Sequence, residues 1–250
     1  MAPSTSNKPF EDFPEIGGLM VSKIIADNKR VAMFMYREKP SDEMDSGWRI
    51  FSGYETQEYT DNPDNTAIYG AQTILEIDPS IADLLLNPVG SVFEREDENS
   101  EWYEVDDFEM DGDYLTRIKI SDHWSIEINN LFTQHLEPEG DLVFVMKNKT
   151  VRVAIWNYKN QTRQEVYQLQ KTLLADRADD DAPILETFEL SDDNAARIGF
   201  IIEESDEEKT YKVLYGFSVV DEQVLQGAFY FDHDRDKDWA LNTWRNIVWE

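Results

Sequence analysis

The chain has no cysteine, which removes thiol nucleophiles, disulfides and thiolate metal sites together and fits a reducing, cytoplasmic setting. It also has no long apolar run. Nothing approaches the roughly 20 consecutive apolar residues of a membrane-spanning helix, and the opening MAPSTSNKPFEDFPE lacks a basic region followed by an apolar one. Neither secretion nor membrane insertion is expected. Basic residues are scarce: 23 Lys and Arg stand against 52 Asp and Glu, for a formal net charge of -29. Residues 1–110 carry 8 basic and 24 acidic side chains and residues 111–250 carry 15 and 28, so the excess is not a tail. Such a surface repels nucleic acid phosphates and attracts a basic protein, raising its association rate at low salt. The same charge also serves plain solubility.

Signatures of catalysis are missing as well. There is no GxSxG elbow, no GxxxxGK[ST] loop, no GxGxxG after a strand and no HExxH. The three histidines, His123, His135 and His233, stand in no metal-ligand spacing. With 52 acids, chance pairs of carboxylates are expected, so they carry no sign of acid–base chemistry. No enzyme activity and no cofactor are expected.

What is present suffices for real cores: 41% hydrophobic and 12% aromatic content over 250 residues, enough for two domains of ordinary size. LMVSKII and VAMFMY, joined at Asp27-Asn28-Lys29, read as a hairpin, and WRIFS at 48–52 as a third strand. Residues 53–65 are loop-like. Helices are expected over 70–76 and Ser80–Leu86, the latter with Asp78 as cap and Pro79 at the first helical position, and VGSVFER at 89–95 alternates like a strand.

Between Glu94 and Asp113 lie eleven acidic residues and one arginine, and a domain boundary is expected there. Trp102, Tyr103 and Phe108 interrupt the run, which argues for packing on a neighbour, because disordered linkers are poor in aromatics. Beyond it YLTRIKI, HWSIEI, DLVFVMK and TVRVAIW read as strands, the last two joined across Asn148. A helix with apolar Val166, Leu169, Leu173 and Leu174 follows. Strands at 184–190, 196–203, 211–219 and 224–231 then form an antiparallel meander. A final helix from about Asp236 carries Ala240, Trp244, Ile247 and Val248 on one stripe. The expectation is an α+β chain: a flexible arm at 1–15, an α+β domain at 16–110, and at 111–250 an α/β sandwich with a meander and a terminal helix. Each domain is a mainly antiparallel sheet with a few packed helices.

Two local patterns invite a chemical reading. Asp232, Asp234 and Asp236 alternate as in a calcium loop, but Lys237 stands where such loops need glycine and Thr243 where they need a bidentate glutamate. They are a weak metal candidate, and the better reading is acids opposing the dipole and satisfying the free amides of the last helix. Trp124, Trp156 and Trp244 lie in apolar-periodic segments and are expected in cores. The most distinctive string is Asp45-Ser46-Gly47-Trp48-Arg49-Ile50-Phe51-Ser52-Gly53. Gly47 and Gly53 permit tight backbone geometry, and Trp48 and Arg49 point to opposite faces of a strand, one buried and the other free to pair with a carboxylate.

At this string the chain resembles the domain of unknown function 2185, also called immunity protein 33, of bacterial polymorphic-toxin systems. The resemblance runs over about residues 18–95 and takes in VSKII, VAMFMYRE, DSGWRIFSG, EYTDNPDNTAIY, TILEIDPSIADLL and PVGSVFER. It implies a small α+β immunity domain that binds and blocks a toxin. By position, Asp45, Ser46, Gly47, Trp48, Arg49, Gly53, Pro88 and Gly90 are the family-type residues and the candidate partner-binding residues, none with a catalytic role to transfer. In architecture alone, the later part resembles the Mog1/PsbP-like group. The expected function is therefore protein binding through an acidic surface, with a basic toxin domain as partner; an adaptor of another partner and an enzyme with a dispersed acidic site are the alternatives.

Overall fold

The computed structural model describes residues 10–177, 182–206 and 209–250. The chain divides into two compact units, Met1–Asp113 and Tyr114–Glu250. It is α+β, built from three mainly antiparallel sheets with a few short helices. Among the described residues no helix is long and apolar enough to cross a membrane.

The first unit is a six-stranded sheet of β1 (Gly18–Ser22), β2 (Phe34–Arg37), β3 (Asp45–Phe51), β4 (Thr66–Tyr69), β5 (Val92–Glu94) and β6 (Tyr103–Glu104), ordered β4-β1-β3-β2-β5-β6. The expected hairpin is replaced. Ser22 caps a helix, α1 (Lys23–Asn28), by accepting from the Ile24 amide, and Lys29 closes it in the left-handed region. That helix carries the chain away, so β1 pairs parallel with β3 and antiparallel with β4 instead of with β2. The local cap outcompetes the β-branched pattern of SKII. Residues 53–65 also hold a short helix, α2 (Gln57–Thr60), and β4 follows where no strand was expected.

The helix expected over 70–76 is α3 (Ala71–Leu75), but that over Ser80–Leu86 breaks into two 3-10 turns, Pro79–Ile81 and Leu84–Leu86. Asp78 explains part of this. Besides accepting from the Ser80 amide at 3.2 Å, it takes the Ala32 amide at 2.9 Å and an Arg95 guanidinium bond at 2.6 Å, tying the turn to distant chain. Leu19, Val21, Met35, Trp48, Ile50, Ile74, Ile81 and Leu85 make the core on one side of the sheet. Of the arm expected over 1–15, residues 1–9 lie outside the described residues, whereas Phe10 and Phe13 pack against this core.

The second unit has a seven-stranded antiparallel sheet and a three-stranded one. Its strands are β7 (Leu115–Lys119), β8 (Trp124–Asn129), β9 (Thr133–Leu136), β10 (Leu142–Met146), β11 (Lys149–Asn157), β12 (Ile184–Glu189), β13 (Ala196–Ser205), β14 (Thr210–Val220), β15 (Gln223–Phe231) and β16 (Val248–Trp249). The orders are β12-β13-β14-β15-β11-β10-β9 and β16-β8-β7. The expected meander is there, and Asn148 turns in the left-handed region between β10 and β11.

Helix α4 (Arg163–Ala175) begins with a full capping box, Thr162 and Glu165 satisfying each other's backbone amides. Helix α5 (Lys237–Arg245) buries Ala240, Leu241 and Trp244 in the main core. It stops short of its expected stripe: the chain leaves the helix at Asn246, and Val248 enters β16 beside β8. Trp124 and Trp244 are fully buried, but Trp156 is 54% exposed and so is not core.

Candidate interaction face

The string Asp45–Gly53 forms β3 and the turn after it. Two residues four apart on a regular strand stand roughly 13 Å apart. Here the register of β1 against β3 shifts between Gly18 and Met20, and Gly47 sits at φ +82°. A Cβ on Gly47 would lie 2.2 Å from the Glu38 carbonyl oxygen, so only glycine permits the fold-over. The consequence is that Asp45 and Arg49 meet. Asp45 Oδ1 accepts from Arg49 Nη1 at 2.9 Å and Oδ2 from Nη2 at 2.8 Å, while Arg49 Nε donates to Glu38 Oε1 at 2.6 Å. The Asp45 carboxylate also accepts from the Gly47 and Ser41 amides, at 2.8 and 3.0 Å. The Arg49 bonds hold the Asp45 carboxyl well below the usual carboxylate range, against the opposing effect of its burial, and those bonds hold the guanidinium correspondingly high.

The other family-type residues brace the same corner. Ser46 Oγ donates to the Gly18 carbonyl at 2.7 Å and accepts from the Trp48 amide at 3.1 Å. Trp48 is fully buried and donates to the Leu85 carbonyl at 3.0 Å. Arg37 reaches the carbonyls of Ser46 and Asn87 and accepts the Gly90 amide on its own carbonyl, and the Pro88 carbonyl accepts from Ser91 Oγ. Gly53 follows β3 against Met33. Asp45, Ser46, Gly47, Trp48, Arg49, Pro88 and Gly90 are thus gathered in one network. Trp48 and Arg49 do point to opposite faces, though both are buried, with Arg49 only 6% exposed.

What the network frames is the sheet face opposite the core. Register places Ile68, Met20, Arg49 and Tyr36 in one cross-strand row on that face, because their neighbours Leu19, Val21, Ile50 and Met35 are core residues. Phe34, Tyr36 and Phe51 cluster there, with ring centroids 5.9 to 6.4 Å apart. Phe108, from the acidic run, sits on them at 5.3 Å from Phe34 and 5.0 Å from Tyr36. Of the aromatics in that run, Phe108 packs on these rings and Trp102 on the core of the first unit, whereas Tyr103 is 46% exposed. Burial, then the charge of Glu38, raise the Tyr36 hydroxyl above its ordinary pKa, with Arg49 opposing and Asp111 adding to the rise; Glu38 reaches this face through its 2.6 Å bond from Arg49. Ile68 and Phe108 are exposed at 73% and 37%. Sequence reasoning missed this cluster; its signal was the alternation of Phe34, Tyr36 and Phe51 against core residues.

The aspartates weighed as a calcium loop are otherwise engaged. Asp232 pairs with Lys209 at 2.6 Å, Asp234 with Lys212, and Asp236 with Lys149 at 2.9 Å. Among the described residues no group of three or more His, Asp or Glu is placed to hold a metal ion. Nor does any of the three side chains cap the last helix. Each is paired with a lysine, while Asp234 and Asp236 still stand at the start of the last helical segment, where a carboxylate opposes the helix dipole.

Residues 19–106 match the family model of the immunity protein Imm33 domain, within the first unit, as the string at Asp45–Gly53 led us to expect. The match supports an immunity-type role in general, and with it a protein partner. No curated protein matches the chain. Similar solved structures include cyanobacterial PsbP (CyanoP) from Synechocystis sp. PCC 6803, 12% identical over 55% of this chain and 94% of that one, with a TM-score of 0.42. The Ran-binding protein Mog1p of Saccharomyces cerevisiae is 9% identical over 52% and 82%, with a TM-score of 0.35. A protein from Bacteroides thetaiotaomicron VPI-5482 is 10% identical over 51% of this chain, which spans 45% of that one, with a TM-score of 0.36.

Proposed function

We propose that this protein is a non-catalytic, cytoplasmic immunity-type protein that neutralises a basic toxin domain by binding it through the outer sheet face of the first unit. The observation that carries the reading is the cluster of Phe34, Tyr36, Phe51 and Phe108, an aromatic patch with carboxylates at its edge. Interfaces concentrate their energy in central aromatic anchors surrounded by a polar rim. Arg49 is neutralised in place by Asp45 and Glu38, so it opposes no basic partner. The rim, by contrast, lies beside a run of eleven acids, and the whole chain carries a net charge of -29, which steers a cationic partner and makes its association salt-dependent.

The family-type residues, in this reading, hold the face in shape rather than touch the toxin. The test is capture of toxin domains encoded beside the gene, with the native protein and with Tyr36→Ala combined with Phe108→Ala. The native protein should bind one of them with an affinity that falls as salt rises, and the double variant should lose at least tenfold while staying folded. Equal binding by the double variant would refute the face, and failure of every neighbouring toxin domain to bind would refute the function.

A further inference from the structure

The outermost strand of the first unit's sheet, β4, pairs with β1 alone. What that pairing leaves over can be read from β1. Gly18 donates its amide to the Met44 carbonyl at 2.7 Å and accepts from Ser46 Oγ on its own carbonyl at 2.7 Å, so its backbone faces β3. Backbone direction alternates along a strand, so Met20 faces β3 as well, while Leu19 and Val21 face β4. Their antiparallel partners are Tyr69 and Ala67, which must face back towards β1. Ile68, between them, therefore turns both its N–H and its C=O away from the sheet. Thr66 agrees with this phase, since its N–H goes to the Pro63 carbonyl instead of to β1. Among the described residues nothing bonds to the outward N–H or C=O of Ile68.

An unpaired edge invites an added strand, and soluble proteins guard such edges with lysine, proline, inward charges or bulges. β12, an edge of the seven-stranded sheet, shifts register between Ile184 and Glu186 and carries Glu186 and Glu189. β4 has none of these guards: its sequence is Thr-Ala-Ile-Tyr, its four pairs with β1 run without a shift, and its Ile68 side chain stands in solvent.

The surroundings select what the edge can take. A groove of about 680 Å³ opens at the end of β4, with apolar Ile16, Met44 and Ile68 among its lining and Glu15 and Glu43 as its charged side chains. Lys23 lies at the opposite end of the strand, where its Nζ donates to the Asp64 carbonyl at 2.6 Å. A second copy of the chain would bring a further net charge of -29 to this acidic edge, which opposes pairing of two copies.

We propose that β4 takes up an extended, basic segment of a protein partner as an added strand, its backbone bonded to Ile68 and its cationic side chains beside Glu15 and Glu43. The proposal rests on the partner being basic, as in the reading above, and adds how one part of it is held.

The probe is a capped peptide of about eight residues alternating lysine and valine, with a counterpart alternating glutamate and valine. Both are titrated into the full chain, with amide hydrogen exchange and chemical shifts followed by NMR. Without peptide, the Ile68 amide should exchange freely while those of Ala67 and Tyr69 are protected. The lysine peptide should bind with a Kd on the order of 1 mM and slow exchange at Ile68, and the glutamate peptide should bind about tenfold more weakly. Ile68→Pro removes the outward donor and leaves the bonds to β1, so it should weaken the lysine peptide about tenfold. Ile68→Lys keeps the backbone and adds a like charge, and should weaken it by a similar factor, whereas Ile68→Val should bind as the native protein does. Tyr36→Ala combined with Phe108→Ala should take the peptide unchanged, so the edge and the aromatic patch succeed or fail separately. Protection of the Ile68 amide before peptide is added, absence of saturable binding up to about 10 mM, equal binding of the glutamate peptide, or unchanged affinity in Ile68→Pro and Ile68→Lys would each overturn the proposal.

Discussion

Replacing Arg49 by methionine keeps the length of the stem and removes the guanidinium that joins Asp45 to Glu38. Three charge-assisted bonds of 2.6 to 2.9 Å are lost, together with a 3.2 Å bond to the Trp48 carbonyl. Removing one partner of a buried pair costs about 3–5 kcal/mol, because the other charge stays behind unpaired. The two carboxylates differ in how much they feel this. The Glu38 side chain is 25% exposed and can rehydrate, whereas that of Asp45 is 13% exposed and falls back on the Gly47 and Ser41 amides. The low end, about 3 kcal/mol near neutral pH, is therefore expected. Arg49→Lys should cost about 1–2 kcal/mol, since it keeps the charge and loses the fork.

The pH dependence makes the argument specific. With its pKa held low in the folded state, Asp45 binds a proton less readily there than in the unfolded chain, where a carboxyl titrates near about 3.9. Its contribution is thus fully present above the unfolded value and drains away as pH falls towards the folded one. Arg49→Met removes the largest cause of that depression, so the penalty measured in urea at pH 7 should shrink at about pH 3.5. Hydrogen exchange at Met20, Val21 and Ile50 would place the loss in the paired strands β1 and β3. Native-like stability, or a loss of equal size at both pH values, would refute the reasoning.

Gly216 and Gly199 leave a slot for the Trp244 ring: a Cβ on Gly216 would stand 2.6 Å from Trp244 Cε2. Gly216→Ala should cost about 1–3 kcal/mol and alter the near-ultraviolet circular dichroism, as expected for overpacking. Trp244→Ala should cost about 3–5 kcal/mol in chemical denaturation, against less than about 1 for Trp156→Ala, because the first is fully buried and the second 54% exposed. Calcium at millimolar concentration should leave the melting temperature unchanged, since Asp232, Asp234 and Asp236 each hold a lysine; a rise of several degrees in a thermal scan would contradict their pairing.

Long, strongly alternating segments were readable, and those with a competing local device were not. The hairpin β10–β11 and the run β12 to β15 stand where alternation and short turns put them, because within each set sequence neighbours pair with one another. SKII failed for the opposite reason: Ser22 accepts from the Ile24 amide at 3.3 Å and starts a helix that a propensity for strand would not suggest. Strand β4 and the parallel pairing of β1 with β3 depend on contacts between distant segments, which periodicity does not encode. Trp156 shows the same limit. Its segment alternates like its neighbours, but whether an alternate face is covered depends on distant chain, and Trp156 is left 54% exposed.

The string that identifies the first unit and the face we assign to binding lie on the same strands, one residue out of phase. Ser46, Trp48 and Ile50 fill the inner side of β3, and Arg49 and Phe51 look outward beside Tyr36 and Phe34. A motif of this kind is recognisable because each of its members satisfies a fixed geometric demand: a positive φ at Gly47, a buried indole bonded to Leu85, and a guanidinium closed on two carboxylates. Residues under that much constraint have few groups left to offer a partner. Those free to differ without breaking the corner are the outward rings and the acidic run that carries Phe108, and specificity for one protein partner over another is most readily set there, where a changed side chain alters contacts and charge but not the fold.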